Sequence, residues 1–171
     1  GAGAETILAA ICDGPGVDKA YVNNGGDVAF HIGPGETMRV AIAGDPPGAV
    51  LIGPTDPVRG IATSGAGGRS HSLGIADSVT VLARNAALAD AAATMIANAV
   101  DLPGHPAITR QPAHDIAPDS DLGDRPVTTR VGHLSAQDVT RALDRGAIHA
   151  ERLRSRGLIS GAALMLRGQT R

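Results

Sequence analysis

Tryptophan is missing from this chain, and cysteine, tyrosine and phenylalanine occur once each, as Cys12, Tyr21 and Phe30. A lone cysteine excludes an intrachain disulfide and any zinc centre built from several thiolates. So few rings exclude the stacking platforms on which single-stranded nucleic acids lie. The 15 Lys and Arg are outnumbered by 17 Asp and Glu and form no cluster, so the footprint of a phosphate-backbone binder is missing as well. No apolar run reaches the roughly 20 residues that a membrane-spanning helix needs. Neither nucleic acid nor membrane is therefore expected as a partner, and a cytoplasmic, reducing location fits the single thiol.

What remains for a core is aliphatic. Ala, Val, Ile and Leu bury less area than rings do, so backbones must pack closely, which the 23 glycines permit. Such a core needs many contacts, or a partner's surface, to outweigh chain entropy. A homo-oligomer, or pairing with a separate N-terminal chain, is expected. The length of 171 residues supports one domain spanning 1–171.

Residues 2–12 read as a helix closed by Gly14 and Pro15. Stretches 19–24 and 27–32 flank Gly25-Gly26 as a hairpin. Further strands are expected at 37–43, 49–53, 58–64, 76–83, 127–131 and 158–166. Asn85 caps a helix running to about Val100. Ser135 opens another, with Asp138 three residues on completing a capping box, and Gly157 ends it. Residues 101–126, rich in Pro, Gly and Asp without apolar period, read as a long irregular loop. Together these give an α+β fold, a mixed or antiparallel sheet with helices packed on one side.

Three constellations carry chemistry. In VNNGGDV (22–28) the glycines permit positive φ. The asparagines either hold a turn, or Asn23, Asn24 and Asp27 face a ligand pressed against Gly25 and Gly26. TSGAGGRSHSLG (63–74) frees backbone amides to converge on an anion. Thr63, Ser64, Ser70 and Ser72 add hydroxyls, Arg69 adds fixed charge, and His71 titrates near neutrality. A plain connection between strands is the competing reading, and the phosphate-loop pattern GxxxxGK[ST] is absent. The third is the helix at 85–100, apolar almost all round and so expected to be buried. Its exceptions, Asp90, Thr94 and Asn98, stand four residues apart on one face. A buried carboxylate needs a donor or cation. Asp90 with Thr94 suits Mg2+, which prefers oxygen ligands, and Asp90 bonded to the glycine-rich loop is the structural alternative. Cys12 reads as a buried, inert thiol and the histidines show no metal-type spacing.

In this order, VNNGGDV (22–28), IATSGAGGRSHSLG (61–74), IADSVTVLA (75–83) and ADAAATMIAN (89–98) resemble the flavin-transferase (ApbE-like) proteins. They resemble still more an uncharacterised bacterial and archaeal family related to them. The resemblance covers 1–100 well and 101–157 thinly. It implies two halves around a cleft, with Mg2+ on Asp90 and Thr94. It also implies a flavin dinucleotide site lined by Asn24, Gly25, Gly26, Asp27, Thr63, Ser64 and Gly65, with His71 matching the family's histidine. Members carry a further segment before the point matching Gly1, which implies a C-terminal portion of the family fold. In the transferases FMN passes from FAD to a protein Thr or Ser. Here the first helix lacks their Lys and Asp, and His71 reaches Asp77 through SLGIA alone, so FAD or FMN is not expected as cofactor of this chain by itself. The expected function is binding of an anionic or nucleotide-like small molecule in a glycine-rich cleft with Mg2+, Arg69 and the 63–71 loop holding negative charge. If the domain is an enzyme, His71 is its acid/base. The alternatives are a hydrolase or auxiliary protein of nitrogen-heterocycle breakdown using Ser64 or His71, an FMN transferase, and a non-catalytic subunit.

Overall fold

The computed structural model describes residues 1–42, 48–66 and 71–171. The elements run α1 (Ala2–Cys12), β1 (Lys19–Asn24), β2 (Asp27–Ile32), β3 (Met38–Ile42), β4 (Gly48–Ile52), β5 (Gly60–Ser64), β6 (Ser78–Ala83) and α2 (Ala86–Ala99). After these come β7 (Ile108–Pro112), α3 (Ala113–Ile116), β8 (Pro126–Val131), α4 (Ala136–Ser155), β9 (Gly161–Leu166) and β10 (Gln169–Thr170). The fold is α+β, and every strand pairing is antiparallel.

Six strands form the central sheet in the order β1-β2-β5-β6-β9-β10. Period-two alternation sorts their side chains between its faces. Val79, Val81 and Ala83 of β6 turn one way and pack with Ala89, Ala93 and Ile96 of α2 and with Ala142 and Leu143 of α4. Phe30 and Ile32 of β2, with Ile61 of β5, turn the other way and pack under Ile52 and Val58, with Met38, Val40 and Val50 of the β3–β4 hairpin against them. α1 closes the helical face over β1 and β2 through Ala4, which is fully buried with Ala29 and Ala86. No helix among the described residues is long and apolar enough to cross a membrane.

Aliphatic packing at this density depends on missing side chains. A Cβ on Gly60 would lie 2.1 Å from the Ala86 nitrogen, and one on Gly74 would lie 2.1 Å from the Ala97 carbonyl oxygen. Both ends of α2 therefore sit directly on backbone. Its first turn is capped twice, by Asn85 Oδ1 accepting from Leu88 N–H at 2.9 Å and by Glu5 Oε1 accepting from Ala87 N–H at 2.7 Å.

Several expectations need correction. Residues 101–126 are not irregular throughout, since β7 and α3 lie within them and β7 pairs with β8. α2 is not apolar and buried all round: Met95 is exposed and the Asp90 side chain is 44% exposed. Cys12 is only half-buried. The last long strand begins at Gly161, three residues later than position 158. The expected capping box at Ser135 and Asp138 is present.

Candidate functional site

A cleft of about 550 Å3 opens where the β1–β2 turn, the end of β5 and α2 meet. Each wall has a local cause. At the β1–β2 turn Gly25 and Gly26 take φ of 70° and 112°, which swings Asn24 and Asp27 to the cleft. Asn23 holds the turn instead, its Oδ1 accepting from Gly26 N–H at 2.9 Å. The two readings of the motif thus divide between neighbouring asparagines, and Gly26 belongs to the turn rather than to the lining. At the end of β5, Thr63, Ser64 and Gly65 line the cleft. Gly65 has φ of 139°, and a Cβ there would lie 2.7 Å from the Asp77 carbonyl oxygen, so only glycine fits. The Thr63 hydroxyl is shared with that of buried Thr80 at 2.9 Å, a partner that nothing in the local sequence marks.

From α2 come Asp90, Thr94 and Asn98, whose four-residue spacing brings all three to the cleft. Their roles differ. Asn98 anchors the described end of the glycine-rich loop, its Oδ1 accepting from Leu73 N–H at 3.1 Å. Asp90 and Asp27 converge on one point. The α-amino group of Gly1, as the chain stands, lies 2.8 Å from Asp27 Oδ2 and 2.8 Å from Asp90 Oδ2.

His71 lines the cleft and is exposed, with Ser72 and Leu73 beside it. Arg69 lies outside the described residues. Among the described residues no hydrogen bond joins Ser64 to His71 or to another base, so nothing there activates Ser64 as a nucleophile. Sequence reasoning missed two lining residues, Leu122 and Arg125, which the segment between β7 and β8 brings to the cleft. Among the described residues no group of three or more His, Cys, Asp or Glu is placed to hold a metal ion. The donors that do converge are two carboxylates with Thr94 one turn from Asp90. This all-oxygen set is of the kind that suits a hard divalent ion that keeps several waters.

The fold and cleft define an α+β domain with a polar, glycine-lined cleft between a sheet edge and a helix. A family model described as AbpE bacteria matches residues 1–171, and the chain belongs to that family. The chain is similar to UPF0280 proteins of archaea. The one from Methanothrix thermoacetophila is 46% identical over 90 residues, 50% of this chain and 37% of that protein. The one from Methanospirillum hungatei is 37% identical over 105 residues, 58% of this chain and 42% of that protein. The one from Methanopyrus kandleri is 43% identical over 99 residues, 57% of this chain and 40% of that protein. The chain thus covers about two fifths of the length of these curated relatives. No solved structure matches it significantly.

Proposed function

We propose that this domain is related to the flavin transferases and that its cleft binds an anionic, nucleotide-like small molecule together with Mg2+. The observation that carries this is the convergence of two carboxylates, Asp27 and Asp90, whose Oδ2 atoms each lie 2.8 Å from the Gly1 nitrogen, in a cleft also lined by Thr63, Ser64 and Gly65. Asp27, Asp90 and Thr94 would hold the ion, whose chemistry is to neutralise oxyanions of the ligand. The hydroxyls of Thr63 and Ser64 orient the ligand, and His71, exposed at the rim, is the candidate acid/base.

The test is thermal unfolding with MgCl2 and ADP as probes. A ligand at about 100 times its Kd adds about 2.7 kcal/mol, or roughly 5–10 °C for a domain of this size. Magnesium should raise Tm, and ADP should raise it further only when magnesium is present. Asp90→Ala should abolish both shifts. Shifts that persist in Asp90→Ala, or their absence in the natural chain, would refute the reading.

Association belongs to the same proposal. Ile7 and Ile11, one turn apart on the same face of α1, are 52% and 44% exposed. An uncovered apolar surface of this kind favours a second copy or another chain. Light scattering should report a mass above that of one chain, or a mass that rises when the covering chain is added. A monomer under both conditions would refute association.

A further inference from the structure

We infer that Arg125 is the cationic jaw of the cleft, delivered by the β7–β8 arm to grip a second anionic group of the ligand. This rests on the cleft being a ligand site, as proposed above, and adds what kind of ligand it takes and which residue selects it.

The charge of the cleft is uneven. Asp27 and Asp90 place negative charge on one side, while Arg125 is the one permanent positive charge among the described lining residues. Its main chain is fixed on both sides: the Arg125 N–H donates to the Leu122 carbonyl at 3.0 Å, and its carbonyl accepts from the Ala113 N–H at 3.0 Å. Its guanidinium makes no hydrogen bond or ion pair to any described residue, in contrast to Arg110, which is paired with Asp101. A held backbone with a guanidinium unpaired among the described residues at a cleft wall is the arrangement of a ligand-binding arginine, because little is left to order except the side chain.

The arm is also tied to the cation side. Three residues beyond Arg125, the Thr128 N–H donates to the Ser72 carbonyl at 2.9 Å and the Thr128 hydroxyl donates to the Leu73 carbonyl at 3.4 Å. Leu73 in turn is bonded to Asn98, one turn from Thr94 on α2. Three hydrogen bonds in two consecutive steps thus set the position of the Arg125 segment relative to the helix that carries Asp90. The five donors of a guanidinium suit phosphate oxygens bidentately, and a cleft of about 550 Å3 has room for a drug-sized molecule. The ligand this selects is an organic phosphate with two separated anionic oxygens, one neutralised by the cation at Asp27 and Asp90 and one gripped by Arg125.

The experiment is isothermal titration of the purified chain with ADP in MgCl2, and with MgCl2 alone. Arg125→Ala should weaken ADP binding about 10- to 100-fold, as loss of a charged hydrogen-bonding partner does. It should leave magnesium binding and Tm unchanged. Arg125→Lys, which keeps the charge but loses the fork, should recover only part of the affinity. Asp90→Ala should abolish both titrations. ADP binding that needs Asp90 but is indifferent to Arg125→Ala would overturn the role of the arm and leave the cleft reading standing. No binding of magnesium or ADP to the natural chain would overturn the cleft reading and the arm with it. An Arg125→Ala chain with lowered Tm and weakened magnesium binding would show a structural residue and overturn the inference.

Discussion

α2 and α4 cover the same face of one sheet, yet they are held by different physics. α2 is built of alanines seated on backbone, with Gly60 and Gly74 absorbing the contact at either end. α4 is an amphipathic helix with six buried positions, a capping box at its start and an exposed ion pair from Arg154 to Glu151. Only α2 contributes to the cleft, through Asp90, Thr94 and Asn98. Close packing against backbone leaves α2 no room to shift, which fixes its polar face. Packing through side chains and caps leaves α4 tolerant, and nothing chemical is placed on it.

The sharpest way to break this contrast is to add one methyl group to each helix contact. In Gly60→Ala the new Cβ meets Asn85 and Ala86 backbone at 2.1 Å, and backbone of a capped helix start cannot move aside. The expected cost is about 3 kcal/mol or more, at the upper end for overpacking. In Gly146→Ala the same atom meets Val100 Cγ2 at 2.3 Å and Leu164 Cδ2 at 2.7 Å, both ends of side chains. That strain is opposed by a gain of roughly 1 kcal/mol in helix propensity, so the net change should stay within about 1 kcal/mol. Urea unfolding of both variants measures the difference, and equal losses would remove the distinction between the helices.

Asn98→Ala comes next in size. The Leu73 amide, partly buried, loses its acceptor. Leaving such a donor unpaired costs about 1–2 kcal/mol, and the segment carrying Ser72 and Leu73 should loosen with it. Hydrogen exchange should accelerate at Leu73 and at Thr128, whose amide is bonded to Ser72. Asn98→Asp, which keeps an acceptor oxygen, should restore protection at Leu73. Unchanged exchange in Asn98→Ala would show that the loop is held without α2.

What was legible in the sequence divides along the same line. Local signals named the Gly25-Gly26 hairpin, the strand of β6, the cap at Asn85 and the box at Ser135, because each is settled within a few residues. The four-residue spacing of Asp90, Thr94 and Asn98 gave the face of α2 but not the separate jobs of its members. Those depend on Asp27 and Leu73, which are distant in the chain. β7 escaped notice because ITRQP has no continuous apolar run and forms its strand by pairing with β8. Arg125 was unreadable for a related reason. Its place at the cleft follows from Thr128 meeting Ser72 and Leu73, a contact across more than 50 residues that no local pattern announces.

The smallest expected effect concerns the start of α4 and is visible only in acid. Asp138 accepts from the Ser135 hydroxyl at 2.6 Å, from the Ser135 amide at 3.1 Å and from Arg141 at 2.6 Å. The hydrogen bond from the Ser135 side chain, then that from Arg141, lowers its pKa from 3.8 to about 2. A carboxylate whose pKa falls on folding adds stability that is complete above its unfolded-state value, and that is lost as pH drops through the folded-state value. The window is therefore from about pH 4 down to about pH 2. Asp138→Asn keeps an acceptor but removes the charge, so it isolates this contribution. Because His105 Nε2 lies 3.5 Å from Asp138 Oδ2, the comparison starts at pH 5, and the difference in urea midpoint between natural chain and variant should shrink between pH 4 and pH 2.5. Ser135→Ala should cost about 1 kcal/mol at neutral pH as a lost N-cap, and should reduce the acid dependence by removing the strongest partner of the carboxylate. A midpoint difference that does not change with pH would mean that Asp138 acts through its shape alone. In that case α4 would be held, like α2, by contacts rather than by charge.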